Sequence, residues 1–351
     1  MVRSSRIDGS RSATIAWWSG SGNGRISTLQ MTPRRRFVWG IFSSAALAAL
    51  TARAQRSSAV RHIGVLSPGP AAGVEFQDIL EFLHSLGWWE GKNVIVEPRS
   101  ANANLALLKP LAVELATLGV DVIVTYGTDA AAAAKSATTK TPIVMASAAD
   151  PVRAGLVASL AHPGGNITGY SVIYPDVAAK RAALLSELLP MVRRVAVMVN
   201  PTMSEWLRQA AENAYISLGL QPSLIEVGTE KRFLEGLREA FQERAEAVDV
   251  ALALPLTNAL LQTALRYRLP TMVASRELVE AGALSSLSPA LQEGHRRVAA
   301  IIDKVLRGVP PAGLPIEQPT RFEFALNLNT ASALGISIPR SLMLRADYVV
   351  R

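Results

Sequence analysis

The chain has 351 residues, 49% of them apolar, and a formal charge of +8. That composition is globular and suffices for one large or two ordinary domains. There is no cysteine, which excludes a disulfide framework, a thiol nucleophile and a cysteine zinc site.

The charge is concentrated. Residues 1–54 hold Arg3, Arg6, Arg11, Arg25, Arg34, Arg35, Arg36 and Arg53 against Asp8, a net of +7 that leaves +1 for the rest. A basic front end on a near-neutral body argues against a nucleic-acid partner. The stretch "MTPRRRFVWGIFSSAALAALTARAQ", from Met31, reads as an export signal. Arg34–Arg36 form its basic region, Phe37–Leu50 its apolar region, and Ala52-Arg53-Ala54 a small-x-small cleavage site before Gln55. The apolar region falls short of the ~20 residues a bilayer span requires. Arg-Arg-x-Phe at Arg34–Phe37 suits twin-arginine export, and an ordinary Sec signal fits as well. Residues 1–30 lack any helical or strand period, so Met31 is read as the natural start. No cysteine follows the signal for lipid attachment, so a free periplasmic protein is expected.

From Arg61 short apolar runs alternate with helical stretches. Residues 62–67 read as a strand, 73–87 as an amphipathic helix, 93–99 as a strand, and 105–119 as a helix with Pro110 near its start. Then come a buried strand at 120–127, a helix at 128–138 capped by Thr128 and Asp129, and a strand at 141–147. After "ADPVRAGLVASLAHPGGNITGYS" (149–171) the rhythm restarts: helix 176–190, strand 193–200, helix 204–219, strand 221–228, helix 230–245, strand 248–255, helix 257–267, strand 269–275. A helix at 289–308, a proline-rich connector at 310–324, and a last strand and short helix at 323–335 complete the pattern. Continuous Val/Ile runs between helices mean parallel sheets covered on both faces. Two such series imply two Rossmann-like, doubly wound α/β lobes.

Catalytic motifs fail on inspection. "GWWEGKN" (87–93) imitates a phosphate loop but is one residue short and leads from helix to strand. There is no Gly-x-Ser-x-Gly elbow. His62, His84, His162 and His295 lack ligand spacing, so no metal and no cofactor are expected. No enzyme is expected either.

Ligands of doubly wound sheets sit at the carboxyl ends of strands. Here those ends carry small polar residues: Ser67, Thr128, Asp129, Ser147 and Asp150 in the first series, and Asn200, Asn258 and Glu277 in the second. Small residues let backbone N–H groups approach a ligand. Asp150 is positioned to pair with a ligand ammonium. Each residue is equally a good helix cap whether or not anything binds.

The stretches "IGVLSPG", "LGWWEGKNVIVEPR", "DVIVTYGTDAAAAAKSATTKTPIVMAS", "ADPVRAGLVASLAHPGGNITG" and "LPIEQPTRFEFALNLNTASALGISIPRSLMLRAD" together resemble ABC-transporter substrate-binding proteins of the periplasmic-binding type I fold. The resemblance is to the branch that includes tryptophan and tyrosine binders. The chain departs from that pattern in a shortened 252–270 segment and in Leu287, which stands where an aromatic is common.

The resemblance implies a receptor that closes two lobes on a small molecule and delivers it to an inner-membrane permease, as a monomer. It implies lobe 1 from 60–168 plus 284–309 and lobe 2 from 169–283 plus 310–351, after an extension and signal over 1–54. Asp150-Pro151 would begin a short helix. Gly164, Gly165 and Asn166 would form the hinge of the first crossing, with further crossings near Leu284–Ser288 and Val309–Pro315. A ligand-sensing receptor without transport stays open, as does, more remotely, an α/β enzyme in the same cleft. A repressor's effector module would need a helix-turn-helix where the signal stands.

Overall fold

The computed structural model describes residues 60–69, 72–250 and 258–351. The expected export signal and the segment 251–257, with Thr257 and most of the strand expected over 248–255, lie outside them.

The first sheet has the order β2-β1-β3-β4-β5, all parallel. Its strands are β1 (Arg61–Ser67), β2 (Val94–Ser100), β3 (Val122–Tyr126), β4 (Ile143–Ser147) and β5 (Ile167–Gly169). β1, β3 and β4 are buried along almost their whole length, as strands covered on both faces must be. Helix α1 (Ala72–Ser85) covers one face, while α2 (Leu108–Leu118) and α3 (Thr128–Ala137) cover the other.

The second sheet has the order β12-β11-β10-β9-β8-β6-β7. It is built from β6 (Arg194–Val199), β7 (Gln221–Glu226), β8 (Ala247–Val250), β9 (Thr271–Val273), β10 (Ser285–Pro289), β11 (Phe322–Asn327) and β12 (Tyr348–Val350). All neighbours are parallel except β10 and β11. Helices α4 (Tyr174–Leu188) and α5 (Glu205–Ile216) pack on one face, with α6 (Glu230–Gln242), α7 (Asn258–Arg266) and α8 (Arg276–Glu280) on the other. Pro98 lies on β2 and Pro222 on β7. Both are edge strands, where a missing N–H leaves no gap in the ladder.

Helix α9 (Leu291–Leu306) leaves the second sheet and buries Val298, Ala299, Ile301, Ile302, Val305 and Leu306 against α1 and the first sheet. At about 1.5–3 kcal/mol per large side chain, this anchors it firmly to the first lobe. The chain then returns through β11, α10 (Leu328–Leu334), α11 (Arg340–Arg345) and β12.

Several expectations are corrected. α3 is capped by Gly127 at φ 80°, so Thr128 and Asp129 lie inside its first turn. A left-handed backbone here lets the chain turn sharply from β3 into the helix. After Asp150-Pro151 there are successive turns and no α-helix, the N–H of Leu156 reaching the Pro151 carbonyl at 2.9 Å. Gly164, Gly165 and Asn166 precede β5, and the Asn166 amide donates to the carbonyls of Thr138 (3.1 Å) and Thr141 (2.8 Å). They form a turn held inside the first lobe. The second crossing falls after β10, since Ser285–Pro289 is a strand of the second sheet. The third comes after Glu317, whose N–H still bonds Gly169. The elements α8, α11 and β12 had no counterpart in the sequence reading, being only five, six and three residues long.

Candidate functional site

Hydrogen bonds hold the loops at the carboxyl ends of the first sheet. The Gly127 N–H donates to the Ser147 carbonyl (3.0 Å) and hydroxyl (3.3 Å). The Ala149 N–H donates to the Thr128 hydroxyl at 3.1 Å, and the Gly69 N–H to the Ser67 hydroxyl at 3.1 Å. Strand ends β1, β3 and β4 therefore present a surface of small residues with fixed backbone.

The two carboxylates on this surface are used differently. Asp150 accepts the Arg153 N–H at 3.0 Å and organises the turns that follow. Those turns are held from below by Lys135, which donates to the carbonyls of Gly155 (2.8 Å) and Leu156 (2.9 Å). Asp129 remains accessible, and no hydrogen bond or ion pair among the described residues engages it. Partial burial raises its pKa above the ordinary carboxylate value.

In the second lobe, Asn200 accepts from both the N–H (3.0 Å) and hydroxyl (2.8 Å) of Thr202, closing a turn at the end of β6. Asn258 is exposed at the start of α7, and Glu277 is exposed in the first turn of α8. Of the candidate residues, Glu277 alone lines a cavity of ≈ 460 Å³ formed with Arg276, Leu291, Glu293, Arg296 and Arg321 beside the second and third crossings.

Residues absent from the sequence reading join the lobes. The Arg153 guanidinium lies over the Trp206 ring, 4.9 Å from its centroid. Arg153 belongs to the turns after β4 and Trp206 to α5, so this contact spans the two lobes. At the first crossing the N–H groups of Val172 and Tyr174 donate to Ala148 (2.9 Å) and Ala149 (2.8 Å). Between them Ile173 takes φ 44°, an unfavourable backbone for a β-branched residue. Ser171 donates its N–H to Glu317 at 2.9 Å, so the first and third crossings run side by side. Tyr170, in the same bundle, is buried against Gly294 of α9. Burial, with Glu293 nearby, pushes its phenol up to about 12.

Beneath the second lobe's strand ends lies a charged cluster. Arg181 of α4, Asp249 of β8 and Tyr215 of α5 are each at most 3% exposed. The Arg181 guanidinium bonds the Asp249 carboxylate and the carbonyls of Val273 (2.7 Å), Leu287 (2.9 Å) and Val250 (3.2 Å). The Tyr215 hydroxyl donates to Asp249 at 2.6 Å. Burial opposes the Arg181 charge, but Asp249 more than offsets it and holds the pKa above the ordinary value.

The rejected motifs keep structural roles. Asn93 closes the "GWWEGKN" turn on itself, accepting the Trp89 N–H (2.7 Å) and donating to the Gly87 carbonyl (2.8 Å). His84 stacks on Trp89 with ring centroids 4.7 Å apart. No group of three or more potential metal ligands occurs among the described residues.

Two α/β lobes joined by three adjacent crossings, with polar strand ends turned toward the seam, make a clamshell. The family described as ABC transporter substrate binding protein matches residues 62–350. The chain belongs to this family. Among curated proteins, a tyrosine-binding protein of Clostridioides difficile is 24% identical over 287 residues, covering 79% of this chain and 81% of the relative. A solved structure from Streptococcus pneumonia in complex with L-Trp matches with a TM-score of 0.72 at 24% identity, covering 83% of this chain and all of the other. A conserved domain protein from Vibrio cholerae matches with a TM-score of 0.72 at 26% identity, covering 83% and 99%. As a substrate-binding family member, the chain has a periplasmic-binding type I fold. No helix among the described residues is long and apolar enough to cross a membrane.

Proposed function

We propose that this substrate-binding protein is an exported receptor that closes on an amino acid or aromatic acid and delivers it to an ABC permease. The observation that carries the ligand class is Asp129. A carboxylate just past the end of β3, accessible and without a cation partner among the described residues, suits a ligand ammonium. Asp150 is the weaker candidate, because its carboxylate already organises a turn. The Arg181 guanidinium is fully engaged by protein acceptors, so a ligand carboxylate would be held by first-turn N–H groups of α3, for which the helix itself provides no acceptor. The relative named for tyrosine binding and the L-Trp complex support this class.

A thermal-shift screen of the mature chain against amino acids and aromatic acids tests it, since a bound ligand raises the melting temperature by mass action. No shift with any of them would sink the ligand class. With a hit in hand, Asp129→Asn should weaken binding by about 1.5–3 kcal/mol, the scale of a lost charged hydrogen bond. The sign of the pH dependence follows from the raised pKa. Asp129 protonates as pH falls through a window above the ordinary carboxylate range, so affinity for an ammonium ligand falls there. Binding in that window releases a proton, which calorimetry in two buffers reads directly. By the same sign, ionised Asp129 costs the empty fold stability as pH rises through the window. N-terminal sequencing of periplasmic extract should find Gln55, and an intact Met31 in cytosol would refute export.

A further inference from the structure

We propose that the buried Arg181–Asp249 pair is the positioning element for the second lobe's half of the binding site. This rests on the cleft being the ligand site. The pairing of β8 with β9 covers only Val248–Thr271 and Asp249–Met272, and that of β9 with β10 only Ser285–Met272 and Ser286–Val273. Past Ser286–Val273 β9 and β10 lose their mutual ladder, and the guanidinium bonds carbonyls of β8, β9 and β10 beside that point. Nε and Nη2 bond Asp249, Nη2 also bonds Val250, and Nη1 bonds Val273 and Leu287, so all five N–H groups are used.

Those carbonyls belong to three neighbouring strands: Val250 on β8, Val273 at the end of β9 ahead of Ser275 and Glu277, and Leu287 on β10, two residues before the strand ends ahead of the second crossing. Arg181 itself rides on α4, whose first residue, Tyr174, is bonded to Ala149 of the first lobe. Rotation at the first crossing would thus be carried by the helix to three neighbouring strands. A buried ion pair stabilises no better than apolar residues of the same volume, so what this one supplies is geometry. Lysine retains the charge but not the planar fork, and cannot hold three carbonyls and a carboxylate at once.

The experiment compares the wild type, Arg181→Lys, and Leu342→Ala. The last opens a cavity in the same lobe at a buried α11 residue far in sequence from these strands. Hydrogen exchange of the ligand-free proteins should rise in Arg181→Lys selectively at 250, 273–277, 287, 288 and 290. A rise spread evenly over the second sheet, as in Leu342→Ala, would overturn the proposal. Titration with L-tryptophan and L-tyrosine should show Arg181→Lys weakened roughly tenfold or more, as expected when the support of a site is loosened. Leu342→Ala should lose melting temperature and keep its affinity. Equal loss in both variants would make Arg181 a structural residue only. Failure of the wild type to bind either amino acid counts against the proposed ligand class, and the exchange measurement then decides this proposal alone. Should Arg181→Lys not fold, Asp249→Asn, which retains the side chain's shape, is read in the same two assays.

Discussion

The two lobes share a fold plan but build their cleft faces by different means. The first lobe uses backbone and small hydroxyls: the loops after β3 and β4 are stitched through Gly127, Thr128 and Ser147, and the end of β1 to the loop after β2 through Ala101 and Ala103, all by neutral hydrogen bonds. The second uses a buried cation, with Arg181 tying carbonyls of three neighbouring strands to Asp249. A neutral stitch contributes about 1 kcal/mol and tolerates loss, whereas a buried charge stripped of its partner is expensive. Small substitutions at the two faces should therefore differ in consequence, with exceptions only where backbone itself is packed.

The sharpest exception is Gly169 in the first lobe. It has φ 139°, and a Cβ there would lie 2.3 Å from the Met145 carbonyl oxygen. Gly169→Ala should cost about 4 kcal/mol or more, seen in chemical denaturation. Removing the partner in the second lobe comes next. Asp249→Ala should cost about 3–5 kcal/mol, because it leaves Arg181 charged and buried; a loss under 1 kcal/mol would deny the contrast between the faces. Breaking the bridge between lobes should cost less. Arg153→Ala removes a partly exposed cation–π contact, about 0.5–1 kcal/mol, and should shift the lobe equilibrium toward open, which small-angle scattering can follow. Asp150→Asn should be nearly silent in stability, within about 0.5 kcal/mol, since an asparagine Oδ1 accepts the Arg153 N–H in the same turn. A large loss of ligand affinity in that variant would return Asp150 to the binding role first read from sequence.

The lobes were legible because parallel strands buried on both faces advertise themselves as apolar runs. Boundaries at the crossings were not, because Ser285–Pro289 carries no apolar run and its sheet is set by pairing with β9 and β11. The glycines at 164 and 165 drew attention as a turn signal, yet a turn does not reveal which side of a hinge it serves. Asp129 could be placed at a strand end, but whether its carboxylate was spent or free depended on neighbours twenty residues away. Arg181 did leave a trace. It falls within the buried stripe of α4 formed by Val177, Ala178, Ala182 and Leu185, and Asp249 interrupts the apolar run of β8. One charge in each of two apolar faces is the signature of a buried pair. Trp206 left none, since an aromatic near a helix start suits a core as well as a seam.

The placement of Trp206 makes the molecule its own optical gauge. Among the described tryptophans, Trp88 is fixed in the first lobe by a bond to Asp303 (2.8 Å) and Trp89 by its stack on His84. Trp206 alone meets a charge from the opposite lobe. Its emission therefore tracks the distance to the Arg153 guanidinium, while the other two supply a constant background. With Trp88 and Trp89 replaced by phenylalanine, opening and closing can be timed in stopped flow without attaching a dye.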